Sequence, residues 1–236
     1  MQNKKSLLKR LLFIYIAFFL VIVAGIIHNV LGDFGRGAET GMKMGEEIAA
    51  RLQSGDPRMI YLLGNIHIIA QPELDIQSSD KQINLKARIS QLELFVDEPA
   101  ENSSPIHLAL HSVGGSIGLY LLTLLVPLLF IAIIVLMVLI IHSLRRSIRQ
   151  EKTLDRRNVR YLRAIGVLTI LTELVNALAD RIMNLHAARL LDGSGFTVDT
   201  GFQLSYTMII MGILILFSAE VFAIGQNLSE EQKLTI

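Results

Sequence analysis

The chain has 236 residues, 52% of them hydrophobic, and a formal net charge of only +1. Its mean hydropathy of +0.50 lies far above that of a soluble domain and excludes an ordinary water-soluble fold. Cysteine is absent, which excludes disulfides, thiolate metal sites and thiol nucleophiles.

The first ten residues carry Lys4, Lys5, Lys9 and Arg10 and lead into an apolar stretch over 11–31. That stretch is too long for a signal-peptide core, and no Ala-x-Ala site follows it. It predicts an uncleaved helix with its N-terminus in the cytoplasm. Helicity is expected to continue through Asp33–Gln53. There Gly37, Gly41 and Gly45 fall on one face, a spacing that lets another helix, or a second copy of the chain, pack closely. Ser54-Gly55-Asp56-Pro57 ends that helix.

Strand patterns follow. Met59–Ala70 is rich in Ile and Leu. Ile83, Leu85, Ala87 and Ile89 alternate with polar residues, and Leu92, Leu94 and Val96 alternate with Glu93 and Phe95. Period two over such lengths predicts half-buried strands. The break at Ser90-Gln91 predicts a bulge or a change of face. Residues 32–112 hold twelve acidic and seven basic residues, a balance that suits an extracytoplasmic domain. So small a domain has a thin core and is expected to lean on the membrane helices.

No Asp, Glu, Lys or Arg lies between Glu101 and Arg145. The run 117–141 inside this interval exceeds the ~20 residues a bilayer core requires. Pro127 near its middle removes one backbone hydrogen bond and favours a kink. The segment 142–163 then carries eight Lys or Arg against Glu151 and Asp155. Such a segment stays in the cytoplasm and attracts anionic lipid; direct nucleic-acid binding is not required to explain it. Two further spans are expected at 164–190 and 202–224, with a cytoplasmic tail at 226–236. The fold class is therefore a membrane all-α protein of four transmembrane helices. A small α+β insertion separates the first two, and both termini lie in the cytoplasm. The expected location is the bacterial inner membrane.

Polar residues in the spans are the candidates for chemistry. Glu173, Asn176 and Asp180 are spaced by three and four and share a helical face. Glu173 lies ten residues past Arg163, roughly 15 Å along a helix, which is near mid-membrane. Two readings follow. The stripe pins helix packing, or Glu173 serves a small transporter or proton-coupled channel. Glu220 near the inner end of the fourth span is expected to pair with Arg160 or Arg163. His107 and His111 have the i, i+4 spacing of helical metal ligands, but the sequence offers no clear third ligand, so no metal site and no cofactor are assigned. Zinc-protease, nucleophile-elbow, phosphate-loop and dinucleotide motifs are all missing, and no enzymatic activity is expected. In the tail, Ser229 could cap a short helix that starts with Glu230 and Glu231. Leu234 and Ile236 add apolar contacts, and together these residues form a docking element for a partner.

Two stretches resemble a known family. They are Asn158-Val159-Arg160-Tyr161-Leu162-Arg163-Ala164-Ile165-Gly166 and the ending Ala219-Glu220-Val221-Phe222-Ala223-Ile224-Gly225, with Leu228 and residues 230–236. They resemble the bacterial membrane proteins of domain-of-unknown-function family 2975. Asp33-Phe34, Gly37 and Gly41 are similar to a pattern near that family's first span. The resemblance covers both ends and the third span and leaves 53–112 unmatched. It implies a four-helix integral membrane protein of unknown activity. Because such genes often neighbour small helix-turn-helix regulators, it also implies a cytoplasmic transcriptional regulator as partner. The expected function is a non-enzymatic sensor or regulator that holds such a partner.

Overall fold

The structure is a computed structural model and describes residues 2–25, 27, 31–55, 58–71, 74–77, 84–99, 104–111, 113–149 and 156–234. The chain starts with α1 (Gln2–Gly25), whose described apolar run is Ile16–Gly25. Of the helix expected over 11–31, α1 is described to Gly25, and Ile27 beyond it is helical too. Ile26 and residues 28–30 lie outside the described residues. Helix α2 (Leu31–Ser54) matches the expected extension. It ends where the turn chemistry demands, since Gly55 takes φ +78°, a left-handed cap that costs glycine nothing. The Ser54 hydroxyl donates to the Arg51 carbonyl at 2.9 Å.

The strands among the described residues are β1 (Arg58–Ala70), β2 (Leu74–Gln77), β3 (Asn84–Ala87), β4 (Gln91–Pro99) and, much later, β5 (Thr197–Val198). Of these, β1, β3 and β4 fall in the stretches where strands were expected, and β2 and β5 are additional. The three-stranded sheet has the order β4-β1-β5 with antiparallel neighbours, and β2 and β3 form a separate antiparallel pair. The bulge expected at Ser90-Gln91 lies instead in β1, where the register against β4 slips between Leu63 and Ile66. Asn65 there adopts φ 55°, a left-handed conformation that asparagine tolerates. The reason is one of parity. Met59, Tyr61 and Leu63 share one face; Ile66 and Ile68 return to that face only if the alternation slips by one residue. The break at Ser90 is the start of β4, and the Ser90 carbonyl accepts from the Ile68 amide at 3.0 Å.

The short α3 (Pro105–Leu110) precedes α4 (Ile117–Arg149), α5 (Arg156–Leu190) and α6 (Tyr206–Leu234). Pro127 lies inside α4 without ending it. Among the described residues, three stretches are long and apolar enough to cross a membrane: Ile117–Ser147, Arg156–Leu190 and Tyr206–Asn227. They identify a membrane protein. The basic segment 142–163 is largely two helix ends. Arg145, Arg146 and Arg149 occupy the end of α4, where the helix dipole favours cations. Arg156 and Arg157 open α5, where it opposes them. Helix stability does not explain the second group.

The chain divides into two compact units. The helical unit comprises Met1–Thr40, Pro127–Glu173 and Ser205–Ile236. The sheet unit comprises Gly41–Val126 and Leu174–Leu204, so it draws on residues well beyond the 32–112 boundary. Its core is the β1 face of Tyr61, Leu63, Ile66 and Ile68 packed with Ala187 and Val198. Met183, Ala188 and Leu191 flank it. The thin domain does lean on a long helix for its core, and that helix is α5.

Candidate functional site

Two polar clusters stand out, one in each unit. In the helical unit, α5 and α6 meet at three points. At one, the Glu173 carboxylate accepts from the Ser205 backbone amide at 2.6 Å, while the Ser205 hydroxyl accepts from the Met208 amide at 3.4 Å. Ser205 is the residue before α6, so Glu173 supplies a carboxylate to a helix N-terminus, where the dipole favours negative charge. Counting from Arg163 put Glu173 near the middle of its span. Against α6 it lies at the end, level with the first turn. The residue is 9% exposed, and this amide bond satisfies a carboxylate that would otherwise be costly to bury.

The second point is a close crossing at Gly166 and Gly212. A Cβ built on Gly166 would lie 2.9 Å from the Gly212 carbonyl oxygen, and one on Gly212 would lie 3.0 Å from the Gly166 carbonyl oxygen. Only glycine permits this approach. The sequence pointed to Gly37, Gly41 and Gly45 for such packing. A Cβ at any of these would meet no atom within 4 Å among the described residues. The close approach belongs to a pair of glycines distant in sequence, which no local spacing announces.

The third point is an ion pair. Arg163 Nε and Nη2 donate to the two Glu220 carboxylate oxygens at 2.7 and 2.9 Å. Of the two arginines offered by the sequence, Arg163 is the partner, in a bidentate fork that fixes geometry as well as charge. Both side chains are partly exposed, so the pair adds register more than energy.

The other predicted residues are placed as follows. Asn176 donates to Asp180 at 3.3 Å, one turn on in the same helix. The tail differs from expectation: α6 runs unbroken through Ser229, Glu230 and Glu231 to Leu234, so no new helix starts at Ser229. A helix already formed extends cheaply, because only nucleation is costly. Ile236 lies outside the described residues.

The sheet unit holds a cluster that no sequence motif announced. Tyr61 is fully buried, and its hydroxyl lies 2.9 Å from both Glu98 Oε1 and His186 Nε2. A carboxylate can only accept, so Tyr61 donates to Glu98 and Nε2–H of His186 donates to Tyr61. The imidazole also meets the phenol ring edge-on, with centroids 5.6 Å apart. A Cβ on Gly115 would lie 3.0 Å from the ring. Burial, and secondarily the Glu98 carboxylate, push the Tyr61 phenol above its ordinary value. The cluster joins β4, β1 and α5 in one hydrogen-bonded line. Nearby, the buried Asn184 accepts weakly from the His67 amide at 3.4 Å. The His67 carbonyl accepts from the Asp199 amide at 2.7 Å. Asp199 then shapes its own turn, accepting from the Gly201 amide and the Gln203 side chain. Arg181 lies over the Phe202 ring at 5.1 Å.

On the other face of β4, Asp97 binds Arg58 of β1 and Arg51 of α2, which anchors the end of α2 to the sheet. Tyr61 is fully buried, and through it the cluster couples β4, β1 and α5.

A family model described as "Protein of unknown function (DUF2975)" matches residues 86–236, more than half of the chain. The match takes in β4 and α3, which the resemblance left out, and stops short of Asp33–Gly41, which it included. No curated protein matches the chain, and no solved structure does.

Proposed function

The chain belongs to the DUF2975 family, and on that premise we propose that it is a non-enzymatic sensor or regulatory protein of the bacterial cytoplasmic membrane. In this reading α1, α4, α5 and α6 all cross the bilayer. Both termini and the basic helix ends at 142–163 face the cytoplasm. The sheet-bearing segment between α1 and α4 faces outward and senses; the basic helix ends and the end of α6 hold a cytoplasmic transcriptional regulator. The observation that carries the reading is α5. This one helix supplies Arg163 to the fork with Glu220 and also His186 and Ala187 to the sheet cluster. An element shared by both units gives an outer signal a physical route to the inner surface. The Glu173 carboxylate is engaged in capping α6, a structural task that leaves the transporter reading without a supporting observation.

Two measurements test this. Reporter fusions at Gln71 and Glu151 are expected to localise on opposite sides of the membrane; the same side for both overturns the topology. Pull-down from membranes is expected to recover a DNA-binding protein with the intact chain and to lose it after truncation at Asn227. Equal recovery from both forms removes the docking role of the tail.

A further inference from the structure

The histidine pair that the sequence left unassigned acquires a defined geometry. Ser104 caps α3, its hydroxyl accepting from the His107 amide at 3.3 Å. The helical bond from the His111 amide to the His107 carbonyl is 3.1 Å. This places His111 one turn after His107, and their ring centroids lie 4.0 Å apart with planes tilted by 34°. His111 Nδ1 lies 2.8 Å from the same His107 carbonyl. A carbonyl only accepts, so Nδ1 carries the proton and the neutral ring keeps its lone pair on Nε2. A backbone carbonyl that fixes one imidazole nitrogen and leaves the other as donor is the arrangement that orients metal-ligating histidines.

We infer that His107 and His111 form a two-imidazole chelate for a late first-row divalent cation, with Cu2+ the tightest ligand. Two nitrogens bound to one such ion stand roughly 3 Å apart, given metal–nitrogen bonds of about 2.0–2.1 Å. With the ring centroids 4.0 Å apart, both imidazoles lie within reach of a single ion. His107 is exposed and His111 half-buried, so an ion reaches the pair from solvent. Among the described residues no third His, Cys, Asp or Glu joins them, so water completes the coordination. Such a site is open and exchangeable, unlike a closed structural zinc site. Imidazole ligands suit copper, nickel and zinc, and the intrinsic order places Cu2+ first.

The location gives occupancy a consequence. The Gly115 amide donates to the His111 carbonyl at 3.1 Å, and the Gly114 amide donates to Leu62 of β1 at 3.2 Å. Val113 bridges Leu62 as well. An ion on His111 therefore stiffens the segment that ties α3 to the central strand beside Tyr61. The site stands independently of the regulatory reading, because a chain with no partner would still hold the ion.

The test is a Cu2+ titration of the full-length, detergent-solubilised protein bearing a histidine-free tag, followed by electron paramagnetic resonance. The expected result is one tightly held Cu2+ per chain with nitrogen couplings from two imidazoles. His107→Ala and His111→Ala should each weaken binding at least tenfold, while His142→Ala, an exposed histidine on α4, leaves it unchanged. Undiminished uptake in both pair variants overturns the assignment. So does coupling to a single nitrogen in the unmodified protein, a spectrum that decides the matter even where a variant folds poorly.

Discussion

Replacing Tyr61 with alanine should cost the sheet unit about 3–5 kcal/mol, the range for deleting a buried aromatic ring. The ring is fully buried and sits at the centre of the only large core cluster among the described residues of that unit. Two effects add. The cavity left by the ring faces Leu63, Ile66 and Ala187. The Glu98 carboxylate and the His186 ring also lose their shared partner. Tyr61→Phe separates the two, because it keeps the ring and removes only the hydroxyl. Its expected cost is about 1–3 kcal/mol, the worth of hydrogen bonds of which one is made to a carboxylate. Hydrogen exchange of the β1 and β4 amides measures both variants. Equal exchange in Tyr61→Ala and the unmodified chain would remove the cluster from the stability of the unit.

The same phenol makes stability depend on pH. Its folded value is raised above the ordinary 10.0. Below pH 10.0 both folded and unfolded states keep the proton, and the contribution is complete. Above it the unfolded state releases a proton that the folded state retains, so stability falls as pH rises. Tyr61→Phe should flatten that alkaline decline.

A leucine at Gly166 should separate α5 from α6. The first added carbon already meets the Gly212 carbonyl at 2.9 Å and the Leu216 side chain at 2.7 Å. Leu216 can rotate, but a backbone carbonyl inside a helix cannot move alone, so the helices must part. Overpacking of this kind costs about 1–3 kcal/mol. The damage should extend to the contacts on either side of the crossing, the Arg163–Glu220 fork and the Glu173–Ser205 cap. Gly212→Leu should match it, since the two glycines meet each other's carbonyls. SDS titration followed by helical circular dichroism checks this. A midpoint unchanged in both variants would show that the crossing does not hold the pair. Glu220→Gln is the useful comparison, with a smaller expected shift because the fork is partly exposed.

Local patterns made much of the architecture legible. An uninterrupted apolar run can only be a buried or membrane helix, so α4 was plain at 117–141. An Ile- and Leu-rich stretch announced β1, period-two alternation announced β3 and β4, and Gly55 announced the end of α2. Complementary charges one turn from a helix end announced the pairing of Glu220 with an arginine of α5. Each of these follows from a few neighbouring residues and the period of one element.

Only the tertiary structure decided the rest, because it depends on residues far apart in sequence. The apolar sequence of α5 reads as one membrane span, yet its second half completes the core of the sheet; apolar surface is buried equally well by lipid or by β1, and composition cannot distinguish them. The close approach of α5 and α6 occurs at Gly166 and Gly212, more than forty residues apart, a pairing that no local spacing announces. The bulge in β1 was invisible until its partner strand set the register. Tyr61, Glu98 and His186 carry no common spacing, and a hydrogen-bonded line across three elements exists only once β4, β1 and α5 are packed together.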